Sequence, residues 1–128
     1  VAQPVTIALI AHDGKKPEMV GFVKDHLEKL RTFRLIATGT TGRYVRDAGL
    51  EVEAVTSGPL GGDAQIAARV VERRCQAVFF FRDPLGMHPH DPDIAMLMRV
   101  CDVHNVPLAT NIATAVLVLE ALFGRTTR

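Results

Sequence analysis

The sequence predicts an α/β protein: a single-domain three-layer α/β/α arrangement around a five-stranded parallel, doubly wound sheet. Short apolar runs alternate with segments of helical periodicity along the whole chain. The runs are nearly continuous Val, Ile, Leu, Ala and Phe without polar alternation, as in strands buried on both faces. Each run also ends in a polar or glycine-rich turn, and the carboxyl ends of the strands are where such sheets bind ligands.

The first run, Val5 to Ala11, opens into His12-Asp13-Gly14. A helix follows from Pro17, a residue suited to the first helical position, with Met19, Phe22, Val23, Leu27 and Leu30 on its apolar side. Lys15 and Lys16 fall between strand end and helix start, a usual position for an anion contact. Leu35-Ile36-Ala37 is the second strand, followed by Thr38-Gly39-Thr40-Thr41-Gly42 and a short helix carrying Tyr44, Val45 and Ala48. This turn is neither a dinucleotide fingerprint nor a Walker loop, and its threonines either cap the helix or bind phosphate.

Val52 to Val55 is the third strand, and it feeds Ser57-Gly58-Pro59-Leu60-Gly61-Gly62-Asp63 and a helix through Ile66, Ala67, Val70 and Val71. Glycines let backbone N–H groups approach a small anion, and the helix start adds donors and the positive end of a dipole. Asp63 at that point either caps the helix or supplies a base. Ala77 to Phe81, the most hydrophobic segment, reads as a central strand that ends at Asp83. A loop from Pro84 leads to His88-Pro89-His90-Asp91-Pro92-Asp93, in which Asp91 and Pro92 read as the cap and first position of a helix buried through Ile94, Leu97, Met98 and Cys101. That leaves His90 and Asp93 available for chemistry. Leu108-Ala109 is the last strand, Asn111 a helix cap, and Ile112 to Phe123 a helix stopped by Gly124 that is apolar almost all round, which calls for an oligomer interface.

A chain of 128 residues without linker or repeat forms one domain, spanning residues 1–128. The formal net charge is +1 with both signs interspersed, so no basic stripe tracks a nucleic acid. Cys75 and Cys101 lack Cys-x-x-Cys partners and read as buried thiols of a reducing compartment. Val1 to Ala11 is too short and too little flanked by basic residues to read as a membrane span or leader, and the expected location is cytoplasmic.

By the strand-end rule His12, Thr38 to Gly42, Ser57 to Asp63, Asp83 and His90 converge on one edge of the sheet. A phosphate cradle beside a carboxylate and a histidine suits removal of a proton next to a carbonyl in a small phosphorylated sugar. The carboxylate takes the proton, and a neutral imidazole, His90 or His12, donates a hydrogen bond to the developing enolate oxygen. A metal site at His88, His90, Asp91 and Asp93 ranks lower, because prolines stiffen the segment, Asp91 is engaged as a cap and no second cluster completes the ligands. A Ser/His/Asp hydrolase ranks lower still, since no Gly-x-Ser-x-Gly elbow is present.

The segments Ala11-His12-Asp13, Ala37 to Gly42, Ser57 to Asp63, Phe81-Arg82-Asp83-Pro84-Leu85 and Pro89-His90-Asp91-Pro92-Asp93 resemble those of the methylglyoxal synthase family, in its order and spacing from Ile7 to about Leu117. The resemblance implies a cytoplasmic lyase that turns dihydroxyacetone phosphate into methylglyoxal and inorganic phosphate, a bypass of glycolysis, with no metal or organic cofactor. It implies a homohexamer subject to allosteric inhibition by phosphate. Carried over by motif, Asp63 is the base, His90 polarises the carbonyl and shuttles protons, and Asp93 orients His90 or shares its proton. Lys16, Thr38, Gly39, Thr40, Thr41, Ser57 and Gly58 contact phosphate and substrate, His12 contacts the substrate's oxygen end, and Asp13 and Asp83 match acids near the site. Many members carry a further carboxyl-terminal segment whose arginine reaches a neighbouring subunit's site, and no residue here matches it. The alternative within the same architecture is an anion-binding regulatory domain without catalysis, as in carbamoyl phosphate synthetase; Asp63, His90 and Asp93 are residues such a domain does not need. A purine-pathway cyclohydrolase domain fits the acid-base pattern less well.

Overall fold

The structure, a computed structural model, describes residues 5–86 and 91–126. The sheet has five strands, β1 (Thr6–Ala11), β2 (Arg34–Thr38), β3 (Glu53–Val55), β4 (Ala77–Phe81) and β5 (Leu108–Ala109), paired in parallel in the order β3-β2-β1-β4-β5. Among the described residues six α-helices connect and flank them: α1 (Lys16–Asp25), α2 (Leu27–Leu30), α3 (Gly39–Asp47), α4 (Gly62–Val71), α5 (Asp91–Val103) and α6 (Ile112–Thr126).

Strand alternation sorts the core into two layers. Ile7, Leu9, Leu35, Phe79 and Phe81 face α1, α2, α3 and α6, where Phe22 meets Phe79 and Phe81 edge to face at 5.7 and 5.5 Å. Ala8, Ile10, Ile36, Val78 and Phe80 face α4 and α5 through Ile66, Val70, Ile94, Leu97 and Cys101. The full burial of β1 and β4 explains why neither run alternates with polar residues. The chain leaves β1 toward β2 on one side and returns past it to β4 on the other, so β1 and β4 flank the point where the winding reverses.

The helices differ from expectation at their ends. The first helical segment is broken in two at His26, whose Nδ1 lies 2.8 Å from the Phe22 carbonyl and takes an acceptor that the helix would otherwise use. Helix α1 begins at Lys16 rather than Pro17, and α5 at Asp91 itself. Gly124 does not stop α6, which runs on to Thr126. A glycine favours a helix end by taking the left-handed region, and among the described glycines that conformation belongs to Gly49 and Gly61, not Gly124. Asn111 caps α6 as expected, accepting the Thr114 N–H at 2.9 Å.

Candidate active site

The carboxyl ends of β1, β2 and β4, with the loop after β3, enclose a cavity of about 500 Å³. Its wall includes His12, Lys16, Thr38, Thr40, Ser57 and Gly58, all expected from the sequence, together with Asp13, Gly14, Pro59, Asp83 and Gly86.

Lys16 stands in the first turn of α1, buried, and its Nζ donates to the Ala11 carbonyl at 2.7 Å and to Asp13 Oδ1 at 2.9 Å. A buried ammonium is tolerated when such acceptors replace water. The Asp13 carboxylate is almost fully exposed, so the pair sets a positive charge on the cavity wall with its counter-ion on the rim.

Pairing of β1 with β2 ends at Leu9 and Ala37, where the chain turns into α3. Beyond it the Ala11 N–H donates to Thr41 Oγ1 at 3.2 Å, and Thr38 Oγ1 donates to the same hydroxyl at 3.3 Å. Thr41 thus continues the sheet's hydrogen bonding from behind the wall, while Thr38 and Thr40 reach the cavity. Thr38 occupies the cap position of α3 but makes no side-chain capping bond. Gly39 holds two loops close: a Cβ there would lie 3.4 Å from the Ser57 amide nitrogen.

The loop after β3 is a 3-10 turn, Gly58–Leu60, closed by Gly61 at φ +107°. The Ser57 carbonyl accepts the N–H groups of Leu60 at 3.0 Å and Gly62 at 2.9 Å. Gly62 has no alternative, since any Cβ would overlap the Thr56 carbonyl oxygen. Asp63 follows in the first turn of α4, fully buried, while the capping position is held by Gly61. Helix capping therefore does not account for Asp63.

His12 prolongs the β1 face that α4 and α5 cover, with its ring edge-on to Phe80 at 5.0 Å. Its amide donates to the Phe81 carbonyl at 3.2 Å, and its Nδ1 accepts the Asp83 N–H at 2.9 Å. Asp93 lies half-buried in the first turn of α5. His90 and His88 fall outside the described residues. Burial pushes the thiols of Cys75 and Cys101 up to about 11, so neither is a thiolate nucleophile at neutral pH.

The family model described as "MGS-like domain" matches residues 18–110. The chain belongs to the methylglyoxal synthase family. It is 52% identical over 122 residues to a methylglyoxal synthase of Borrelia garinii subsp. bavariensis, covering 94% of this chain and 97% of that protein. It is 58% identical over 110 residues to that of Thermus thermophilus, covering 85% and 87%. The crystal structure of methylglyoxal synthase from Elizabethkingia anophelis NUHP1 superposes with a TM-score of 0.85 at 47% identity, over 91% of this chain and 77% of that one.

Of the motifs named from the sequence, His12-Asp13, Thr38 with Thr40, Ser57-Gly58 and Asp83 contribute to the cavity wall, whereas His90 lies outside the described residues. The part of the wall that sequence reading missed is Ile10, Ala11, Gly14 and Gly86, residues next to recognised ones. The bond between His12 and the main chain of residue 83 was also missed, since a backbone donor 71 positions away leaves no trace in residue type.

Proposed function

We propose that the chain is a lyase that converts dihydroxyacetone phosphate to methylglyoxal and inorganic phosphate. The observation that carries this reading is Asp63, a fully buried carboxylate that is not the helix cap, held beside a loop that walls a cavity with a buried lysine. In this reading Lys16, Thr38, Thr40, Ser57 and Gly58 receive the phosphate, with Gly39 and Thr41 shaping their loop. Asp63 takes a proton from the hydroxymethyl carbon, and His12 and His90 donate to the carbonyl oxygen as it becomes an enediolate. The enediolate electrons then expel phosphate from the neighbouring carbon, with the C–O bond held perpendicular to the enediolate plane for orbital overlap. The resulting enol takes a proton at that carbon, which becomes the methyl group, and the terminal hydroxyl loses its own to become the aldehyde. Asp93 orients His90 for these transfers.

The same reading includes a cytoplasmic homohexamer, with copies covering apolar residues of α6 such as Leu117, 71% exposed in the single chain, and allosteric inhibition by product phosphate in a glycolytic bypass. Incubation of the protein with dihydroxyacetone phosphate and EDTA, following methylglyoxal and phosphate together, tests the chemistry. Equal release of both, lost in Asp63→Asn, is the expected result. Phosphate binding without product from the wild type would replace the lyase with an anion-binding regulatory domain.

A further inference from the structure

We propose that the main-chain amide of Asp83 fixes His12 as the neutral Nε2–H tautomer, making His12 a hydrogen-bond donor to the substrate oxygen and Asp83 its positioning residue. The role of the donor rests on the lyase reading above; the tautomer does not.

A backbone N–H can only donate. Because it meets His12 Nδ1 at 2.9 Å, that nitrogen presents its lone pair, and the proton of a neutral ring resides on Nε2. Protonating Nδ1 would set two N–H groups against each other. The ring has little freedom to escape this choice: it is 5% exposed, packed on Phe80, and its own amide hangs from the Phe81 carbonyl, so ring and backbone are both registered to the end of β4.

The amide of residue 83 is itself held. Asp83 Oδ1 accepts the Leu85 N–H at 3.1 Å, and its carbonyl accepts the Gly86 N–H at 3.4 Å. Its Oδ2 lies against the turn after β1, where a Cβ on Gly14 would come within 3.2 Å. The carboxylate therefore anchors the turn whose first N–H sets the tautomer. It does so at the junction of β1 and β4, where the winding of the sheet reverses. A donor-only imidazole cannot also be the base, which leaves proton abstraction to Asp63.

The test is long-range 1H–15N spectroscopy of the ring-labelled full-length protein, with the His12 signals assigned by their loss in His12→Asn. The expected wild-type pattern is a bare Nδ1 and a protonated Nε2. Asp83→Ala is expected to mix the two tautomers and to lower kcat about tenfold or more, with KM within about twofold, and Asp83→Asn, which keeps the Oδ1 acceptor, to restore both readouts. An Nδ1–H ring or an imidazolium in the wild type overturns the proposal, as does a fall in kcat in Asp83→Ala with the tautomer unchanged. The spectra need no turnover, so an Nε2–H ring in a protein that forms no methylglyoxal would refute the lyase reading and leave the tautomer assignment standing.

Discussion

The two ends of the sheet handle polarity in opposite ways. A hollow of about 920 Å³ lies at the amino ends of β2 and β3, nearly twice the volume of the cavity at the carboxyl ends. Its charged lining, including Arg31, Arg34, Glu51 and Glu53, is solvent-exposed. Among the described residues the buried polar side chains are Thr6, His12, Lys16, Thr38, Thr41 and Asp63, and all except Thr6 belong to the carboxyl end. Burying such groups costs free energy unless each is held by a partner or serves a ligand. In the proposed reading chemistry is located by where the chain accepts that cost, whereas volume alone points to the other end.

Substitutions that sharpen the contrast begin at the loop after β3. Gly62→Ala forces the Thr56 backbone to move and is expected to cost about 3 kcal/mol or more, read as a fall in the denaturant midpoint, with activity lost alongside. Lys16→Met and Thr41→Val should separate binding from support. Losing the lysine is expected to lower kcat/KM for dihydroxyacetone phosphate by about tenfold to a hundredfold, the worth of a charge-assisted contact. Losing the Thr41 hydroxyl leaves the Ala11 N–H without its acceptor and should cost about 1–3 kcal/mol of stability, with the smaller effect on kcat/KM.

At the amino end the effects should be slight. Arg69 donates to Glu53 at 2.6 Å and holds that carboxyl below its usual range. The sign follows: a depressed carboxylate contributes stability above its unfolded pKa and loses it as pH falls through the folded value. Because Glu53 is exposed, Glu53→Gln should cost less than about 1 kcal/mol at pH 7 in urea unfolding, and the difference from wild type should vanish in acid.

Much of this was legible in the sequence because the signals are local. Apolar runs ending in polar turns marked the strands, and the strand-end rule alone brought His12, Thr38 and Ser57 to one cavity. Strand order was not legible, since the adjacency of β1 and β4 is a pairing between distant segments. The division of labour among the threonines was equally hidden: Thr40 and Thr41 are neighbours of one type, yet one lines the cavity and the other completes the sheet. Whether Asp63 caps α4 was undecidable from spacing, because a helix start one residue earlier or later exchanges cap for interior, and Gly61 took the cap. The break at His26 depends on one ring nitrogen meeting a carbonyl one turn back, a competition that periodicity does not register.

The most direct measurement is a titration of the 15N-labelled protein with inorganic phosphate, followed by amide shifts. If the buried polar end is the site, the perturbed amides cluster at Gly14, Thr38 to Thr40 and Ser57 to Gly58, and Lys16→Met weakens the binding. Perturbations centred on Arg31, Arg34 and Glu53, unchanged in Lys16→Met, would contradict the account and assign the anion to the larger hollow.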